Sequence, residues 1–359
     1  MDIEALRERK TQIEQRFGPW TADDIQLADE ISTVSPRSHG DSRAPTTREP
    51  FEHEHGGDRW QYATQAARVR RIVQIISDIA TRPFRDLRIL DLACLEGGFS
   101  IELAMRGAAV VGIEGRQANI AKADFAREAL SLDNVRFILA DVRDVTERDY
   151  GRFDVVLCLG ILYHLNAPEV FTVVDHISQL CDGFAIVDTE LALRPEISRT
   201  YDGKAYWGRV GRDHPSAATE EEKASNLWMS LDNDESFVFT RSSLANLLQR
   251  TGFSSIYEGM TPVVPGLGAR ATFVAIKGQR AESLLSSPSQ RGFPGEHTEV
   301  TSGGRDSELH VWAKELSARD EELRNARWEM SRVTNHPYVR AGLALRRCLR
   351  RLRPWSERS

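Results

Sequence analysis

The sequence predicts an α/β protein with a doubly wound, mostly parallel sheet. Short runs rich in Val, Ile and Leu alternate with stretches that suit helices, and the runs are continuous enough for strands buried on both faces. The predicted strands are 88–92, 109–113, 135–139, 153–159 and 184–188, and the helices between them are 99–106, 117–130 and 168–180. A helix at 241–250 and apolar runs at 255–257 and 272–277 follow.

Composition limits the function classes. The chain has 359 residues, a hydrophobic fraction of 41% and a charged fraction of 28%, which fits a soluble protein of about two domains. A mean hydropathy of −0.41 and the lack of a long apolar run predict no transmembrane helix. The four cysteines form no CxxC pair, and the start at Met1 lacks a signal-peptide pattern. We therefore expect a cytoplasmic protein.

Patterning predicts five regions along the chain. They are an N-terminal helix and loop extension at 1–59, a central α/β domain at 60–278 with an inserted, aromatic-rich cap at 191–236, a disordered linker at 279–306, a coiled-coil-like helix at 307–335 and a basic amphipathic tail at 336–359. The fold class is thus α/β with an inserted cap and a C-terminal helical tail.

The last two regions predict interactions rather than chemistry. Leu309, Leu316, Leu323 and Met330 recur every seven residues, which suits self-association or a partner helix. A single amphipathic helix that docks on its own domain fits the same pattern. The tail carries seven arginines from residue 337 onward against one acid. This pattern fits an anionic membrane surface, which would make the protein peripheral at the inner membrane; nucleic-acid binding and a solvated helix end are alternatives, and DNA is not expected.

The candidate binding and catalytic residues lie where predicted strands end, because ligands bind at the carboxyl ends of parallel strands. Asp91 ends the first strand before a loop with Gly97 and Gly98. Glu114 ends the second strand about 20 residues after that loop, where a carboxylate can bind both ribose hydroxyls. Asp141 follows the third strand, and Tyr163-His164 follows the fourth.

This order resembles the class I S-adenosylmethionine-dependent methyltransferases over residues 60–278. The segment 159–168, Leu-Gly-Ile-Leu-Tyr-His-Leu-Asn-Ala-Pro, resembles the motif after their fourth strand. With segment 237–253, it is also similar to the tRNA wobble-uridine carboxymethyltransferase branch. The linker, heptad helix and basic tail resemble the tails of bacterial methyltransferases and glycosyltransferases that build surface glycans. The resemblance implies a Rossmann-like methyltransferase fold and S-adenosylmethionine as cofactor.

Carried over by position, the resemblance assigns the cofactor contacts. It places Asp91, Ala93, Glu96 and Gly97 around the methionine part, Glu114 at the ribose, Asp141 and Val142 at the adenine, and Leu159 at the start of the motif after the fourth strand. The family loop usually reads Asp-x-Gly-x-Gly-x-Gly. Here Ala93 and Leu95 replace its first two glycines, and a leucine narrows the space for a close approach.

Catalytic and substrate residues are predicted around the same edge. His164 is the general-base candidate, because an imidazole that titrates near neutrality can take a hydroxyl proton. A structural histidine is the alternative, and Tyr163 either assists catalysis or packs against the cofactor. The cap offers acceptor contacts at Tyr201, Tyr206, Trp207, Trp228 and Asn233. His53 and His55 are two loop histidines for which we expect no metal.

Three functions remain open from the sequence. The first is methylation of a hydroxyl on a glycan or small-molecule metabolite. The second is tRNA modification of the wobble-uridine type, which needs a basic face near the cap. The third is a non-catalytic adaptor with a methyltransferase fold, suggested by Ala93 and Leu95. The Gly-x-Gly-x-x-Gly order of dinucleotide-dependent oxidoreductases is absent.

Overall fold

The computed structural model describes residues 2–29, 31–34, 57–215, 217–259 and 270–279, with side chains in the helix that begins at residue 57 described from Gln65 onward. The chain divides into two units, Met1–Thr301 and Ser302–Ser359. The second unit lies outside the described residues, as do residues 35–56 and nearly all of the predicted linker. The predictions for the linker, the heptad helix, the tail and the histidines at 53 and 55 therefore stay predictions.

Helices and strands alternate through the centre of the described chain. The helices are α1 (Ile3–Phe17), α2 (Gly57–Ile79), α3 (Gly98–Met105), α4 (Gln117–Ala129), α5 (Glu147–Tyr150), α6 (Glu169–Leu180), α7 (Glu220–Ser225) and α8 (Arg241–Arg250). The strands are β1 (Gln26–Ala28), β2 (Ile31–Ser32), β3 (Arg88–Leu92), β4 (Ala109–Glu114), β5 (Val135–Leu139), β6 (Phe153–Leu159), β7 (Cys181–Glu190), β8 (Ile197–Tyr201), β9 (Lys204–Arg212), β10 (Glu235–Phe239), β11 (Ser255–Gly259) and β12 (Arg270–Ile276).

The central sheet has seven strands in the order β11-β12-β7-β6-β3-β4-β5. Strands β3 to β7 pair in parallel, whereas β12 runs antiparallel to both β7 and β11. The predicted doubly wound, mostly parallel sheet is confirmed. Connections leave β3 and β6 in opposite directions, so the carboxyl ends of these two strands form the crevice in which such sheets bind ligands.

Each central strand contributes to a core on both faces of the sheet. Leu90 of β3 belongs to one buried cluster and its neighbour Ile89 to the other. Val156 and Val155 of β6 divide in the same way. Successive side chains point to opposite faces of a strand, so the continuous apolar runs of the sequence are explained by helices that cover both faces.

The cap contains a second sheet that the sequence pattern did not predict. Its strands lie in the order β10-β9-β8, all antiparallel. A two-residue turn of Asp202 and Gly203, both with positive φ, joins β8 to β9, and Asp-Gly is the strongest short hairpin signal. The inserted cap therefore contains regular strands, and its sheet continues to Phe239, beyond the predicted boundary at 236.

Candidate active site

The loop between β3 and α3 holds the first predicted cofactor residues. Its backbone is left-handed at three alternate positions, with φ of 55° at Ala93, 50° at Leu95 and 88° at Gly97. These are the glycine positions of the family loop, so the chain keeps the loop shape with two residues that carry a Cβ. A left-handed backbone costs such residues about 1–2 kcal/mol each.

Replacing Ala93 by Gly should therefore stabilise the protein in the absence of cofactor. The relief of left-handed strain exceeds the entropy that glycine loses on folding, which leaves a gain of about 0.5–1 kcal/mol. Chemical denaturation measures this gain. The control Ala104→Gly, inside α3, should lose about 1 kcal/mol. An Ala93→Gly variant as destabilised as this control would contradict the strain.

Two buried carboxylates lie at adjacent strand ends next to this loop. Asp91 is 1% exposed and accepts a hydrogen bond from Ser100 Oγ at 2.7 Å. Glu114 is buried as well, and its two oxygens accept from the backbone N–H groups of Arg116 at 2.9 Å and Leu95 at 3.1 Å. Burial raises the pKa of Asp91 to about 7 and also raises the pKa of Glu114.

The raised pKa of Asp91 predicts how stability depends on pH. Between about pH 4 and 7, folded Asp91 holds a proton that the unfolded chain releases, so the unfolding free energy of the cofactor-free protein falls as pH rises through this window. We expect Asp91 to contribute a fall of about 1 kcal/mol per pH unit. Asp91→Asn should flatten the profile measured by denaturation, and the exposed control Asp78→Asn should not. Equal profiles for all three proteins would refute the assignment.

These carboxylates fit the cofactor that the resemblance implies. S-adenosylmethionine carries a sulfonium and an ammonium group, and buried carboxylates whose charged form is disfavoured gain from a cationic ligand. Glu114, at the end of β4, keeps acceptor capacity for ribose hydroxyls. The donor set therefore suits the methionine and ribose parts of the cofactor.

The side chain of Glu96, a loop residue that the resemblance assigns to the cofactor, binds the N-terminal segment. It is 1% exposed and accepts backbone hydrogen bonds from Thr21 and Ala22, each at 2.8 Å. Lys122 Nζ donates to Glu96 Oε1 at 3.0 Å and to Pro19 O at 2.6 Å. The carboxylate of Glu96 thus holds the N-terminal segment, and the assignment of this loop position to the cofactor stays a prediction.

The predicted adenine side is tied to the cap. Asp141 forms an ion pair with Arg143, which also pairs with Asp232 of the cap at 2.8 Å. Val142, in the turn after β5, is 7% exposed. Arg116, two residues after Glu114, donates to the cap carbonyl of Ser230 at 2.8 Å. The two arginines, which the sequence analysis missed, therefore fasten the cap beside the predicted nucleoside site.

The turn after β6 brings a base and a carboxylate together. His164 Nδ1 lies 3.0 Å from Asp213 Oδ2, with side-chain exposures of 12% and 6%. Asp213 follows β9 of the cap and was not among the predicted site residues. Tyr163 packs on the His164 ring at a centroid distance of 4.2 Å. A histidine whose Nδ1 donates to a carboxylate presents Nε2 as a proton acceptor.

A cleft of about 700 Å³ opens beside Asp213 of this pair. Seven of the eight residues that line it are polar, and they include Asn166, Arg212, Asp213, His214, Asn233 and Glu235. Asn233 also donates to the backbone oxygen of His164 at 3.2 Å. The predicted acceptor residue Asn233 therefore lies in the cleft, between the cap and the turn after β6.

Tyr201 and Tyr206 face the core and not the cleft. Tyr201 stacks on Phe171 of α6 at 4.9 Å between ring centroids, and its hydroxyl donates to Asp175. Tyr206 is 3% exposed, and its hydroxyl accepts from Arg250 at 3.1 Å. Their prediction as acceptor contacts is wrong, because these rings pack the cap sheet onto α6.

The two tryptophans of the cap lie near the surface. Trp207 is 48% exposed and Trp228 is 42% exposed. The cleft lining contains Asn233 but neither tryptophan. Their predicted contact with the acceptor is therefore not supported at this cleft.

A charged cluster at the end of β7 also escaped prediction. Asp188 is 1% exposed and accepts from Arg68 at 2.9 Å and Arg270 at 2.5 Å. Burial opposes its charge, but the two guanidinium groups lower the pKa of Asp188 below its usual value. Arg270 also donates to Tyr163 Oη at 3.3 Å. Leu159 pairs with Asp188 across β6 and β7, so the cluster borders the predicted site.

Two absences hold for the residues that the structure describes. No group of three or more His, Cys, Asp or Glu side chains there is placed to hold a metal ion. No helix there is long and apolar enough to cross a membrane.

Comparison with known proteins identifies the family. The family model described as "Methyltransferase domain" matches residues 62–258, more than half of the chain. The chain belongs to this methyltransferase family. This match confirms the resemblance, so residues 62–258 form a methyltransferase domain that uses S-adenosylmethionine as methyl donor.

Curated relatives of the methyltransferase match over limited stretches. The O-antigen chain terminator bifunctional methyltransferase/kinase WbdD of Escherichia coli is 30% identical over 146 residues, which is 38% of this chain and 19% of WbdD. The ubiquinone biosynthesis O-methyltransferase of Maricaulis maris (strain MCS10) is 35% identical over 92 residues, which is 26% of this chain and 36% of that protein. The chain thus spans well under half the length of these relatives.

Solved structures support the fold. The N-terminal domain of EvdMO1, crystallised with SAH and D-fucose, aligns with a TM-score of 0.56 at 21% identity and covers 77% of this chain and 98% of that domain. The same domain with SAH bound gives a TM-score of 0.57 at 22% identity. At this identity, the likeness establishes the shared methyltransferase fold.

Proposed function

We propose that this methyltransferase transfers a methyl group to a hydroxyl group of a sugar, either free or within a glycan. The observation that carries the proposal is the His164–Asp213 pair, 3.0 Å apart, in which Asp213 lines the cleft between the cap and the turn after β6. A hydroxyl oxygen becomes a strong nucleophile only when its proton is removed, and this pair is built to accept one.

Each group has a defined task. S-adenosylmethionine, when bound, supplies an electrophilic methyl group on its sulfonium. Asp213 accepts the Nδ1 proton of His164 and so fixes the ring orientation and tautomer. Nε2 of His164 takes the hydroxyl proton as the acceptor oxygen displaces S-adenosylhomocysteine from the methyl carbon. The cap, held by Arg116 and Arg143, limits water at the reacting groups.

The cleft chemistry supports a sugar acceptor. Asn166, Asn233 and Arg212 offer amide and guanidinium donors, and Glu235 offers a carboxylate acceptor. Such groups suit the paired donor and acceptor character of sugar hydroxyls. Two similar proteins point the same way, since WbdD is named for the O-antigen chain and EvdMO1 was crystallised with D-fucose.

The tRNA alternative fits the cleft less well. Asp213, Asp234 and Glu235 line it against a single arginine, Arg212. RNA phosphates require a surplus of basic side chains. An acidic lining favours a neutral, hydroxyl-rich acceptor over a polyanion.

Transfer of an isotope-labelled methyl group from S-adenosylmethionine tests the proposal. The full chain is incubated with separated sugar, glycan and RNA fractions of its host, and products are analysed by mass spectrometry. We expect the label as an O-methyl group in the sugar or glycan fraction. Label in RNA would establish the alternative, and a folded protein that binds no donor would establish an adaptor.

A further inference from the structure

Asp23, which lies ahead of the matched domain, reaches into the cofactor loop. Its Oδ2 accepts from the Gly98 N–H at 2.9 Å, and its Oδ1 accepts from Gln65 Nε2 at 3.1 Å. The side chain is buried at 4% exposure. A carboxylate from the N-terminal extension is thus part of the wall around the loop that ends at Gly97.

The segment that carries Asp23 is firmly held. We call residues 19–25 the N-terminal strap. Its N–H groups at Thr21, Ala22 and Asp23 all donate to Glu96. Glu96 is neutralised by Lys122, and both side chains are fully buried. The strap therefore has a fixed position, and it presents Asp23 to the loop.

The close approach of Asp23 to the loop requires glycine at residue 98. Gly98 opens α3, and its φ lies outside the left-handed region. A Cβ on Gly98 would overlap the carboxylate of Asp23. The second glycine of the Gly-Gly pair thus makes room for Asp23, whereas Gly97 serves the left-handed turn of the loop.

The buried carboxylates next to the cofactor loop favour a cationic ligand. Asp23, Asp91 and Glu114 are all buried next to the loop. Burial and the charge of Glu96 raise the pKa of Asp23 to about 6, and the charge of Asp23 helps to raise the pKa of Asp91. Without a ligand, these neighbouring carboxylates disfavour each other's charged form, so a bound cation would favour the charged form of both.

We propose that Asp23 is a donor-binding residue, whose carboxylate acts with Asp91 to hold the ammonium group of the methionine part of S-adenosylmethionine. The strap would then close the methionine end of the site. The inference rests on the assigned donor and is independent of the acceptor. It gives the N-terminal extension a role in recognising the cofactor.

Calorimetry with two ligands tests whether Asp23 binds the ammonium group. The ligands are S-adenosylhomocysteine and its desamino analogue, in which hydrogen replaces the ammonium group. The proteins are the wild-type chain, Asp23→Asn, Asp23→Ser and the exposed neighbour control Asp24→Asn. Asp23→Asn keeps an oxygen that can accept the Gly98 N–H, and Asp23→Ser removes the charge with a smaller polar side chain. Thermal unfolding verifies that each protein is folded.

We expect Asp23→Asn to weaken S-adenosylhomocysteine binding by about tenfold or more, as for loss of a charge-assisted hydrogen bond. Binding of the desamino analogue should change by less than about twofold, and Asp24→Asn should bind both ligands as the wild type does. Equal weakening of both ligands, or no weakening, would overturn the proposal. If Asp23→Asn fails to fold, the Asp23→Ser comparison decides by the same criteria. Wild-type protein that binds neither ligand would instead contradict the proposed function.

Discussion

Replacing Asp213 by Asn should slow methyl transfer by about 10²- to 10⁴-fold, the range for loss of general-base catalysis. An amide can present its NH2 group to His164 Nδ1 and favour the wrong tautomer, which leaves Nε2 protonated and unable to accept the hydroxyl proton. Donor affinity, measured by calorimetry, should stay within about twofold, because Asp213 touches the acceptor cleft and His164.

Comparison with His164→Gln shows whether the two residues act as one unit. Each single variant should be about as slow as the Asp213→Asn, His164→Gln double variant, because either change disables the same base. Asp202→Asn, an exposed carboxylate change in the same cap sheet, is the matched control and should leave turnover unchanged. Fully additive losses, or normal turnover without His164, would remove this pair from the mechanism.

Replacing Lys122 by Met should destabilise the protein by about 3–5 kcal/mol. Lys122 and Glu96 are 0% and 1% exposed at a separation of 3.0 Å, so the variant leaves a buried carboxylate without its countercharge. Thermal unfolding should move down by about 10 °C for a domain of this size.

A second change separates the charge effect from lost packing. Adding Glu96→Gln to Lys122→Met removes the unpaired charge, so we expect it to restore part of the lost stability. Lys204→Met, on the cap sheet, is the control and should shift unfolding by less than about 1 kcal/mol. A double variant less stable than Lys122→Met would show that the buried charge is not the cause.

The strands and the carboxylates at their ends could be predicted from local pattern alone. Strands β3 and β6 match their predicted limits, because buried parallel strands have continuous apolar runs with clear ends in the sequence. The edge strand β5 also matches its predicted limits, although only one of its five residues is buried. Asp91 and Glu114 could be found for the same reason, since they are the next-to-last residue of β3 and the last residue of β4.

Residues that depend on contacts distant in sequence could not be predicted. Asp213 reaches His164 across 49 positions of the chain, and no local pattern marks it. Glu96 stands at a loop position that the resemblance assigns to the cofactor. Its side chain nevertheless accepts hydrogen bonds from N–H groups of the strap, 73 to 75 positions earlier in the chain. The predictions for the cap tyrosines were wrong because the presence of aromatic residues in a segment does not show which face of a strand is buried. The Asp202-Gly203 turn was the one local signal of the cap sheet.

A crystal structure of the full chain with S-adenosylhomocysteine and a methyl-accepting sugar tests the central claim most directly. The measured quantity is the distance from His164 Nε2 to the nearest sugar hydroxyl oxygen. We predict about 3 Å, with Asp213 still bound to Nδ1 and the sugar in the cleft beside Asn233. A sugar bound away from this cleft, or a His164 ring turned from the hydroxyl, would contradict the account.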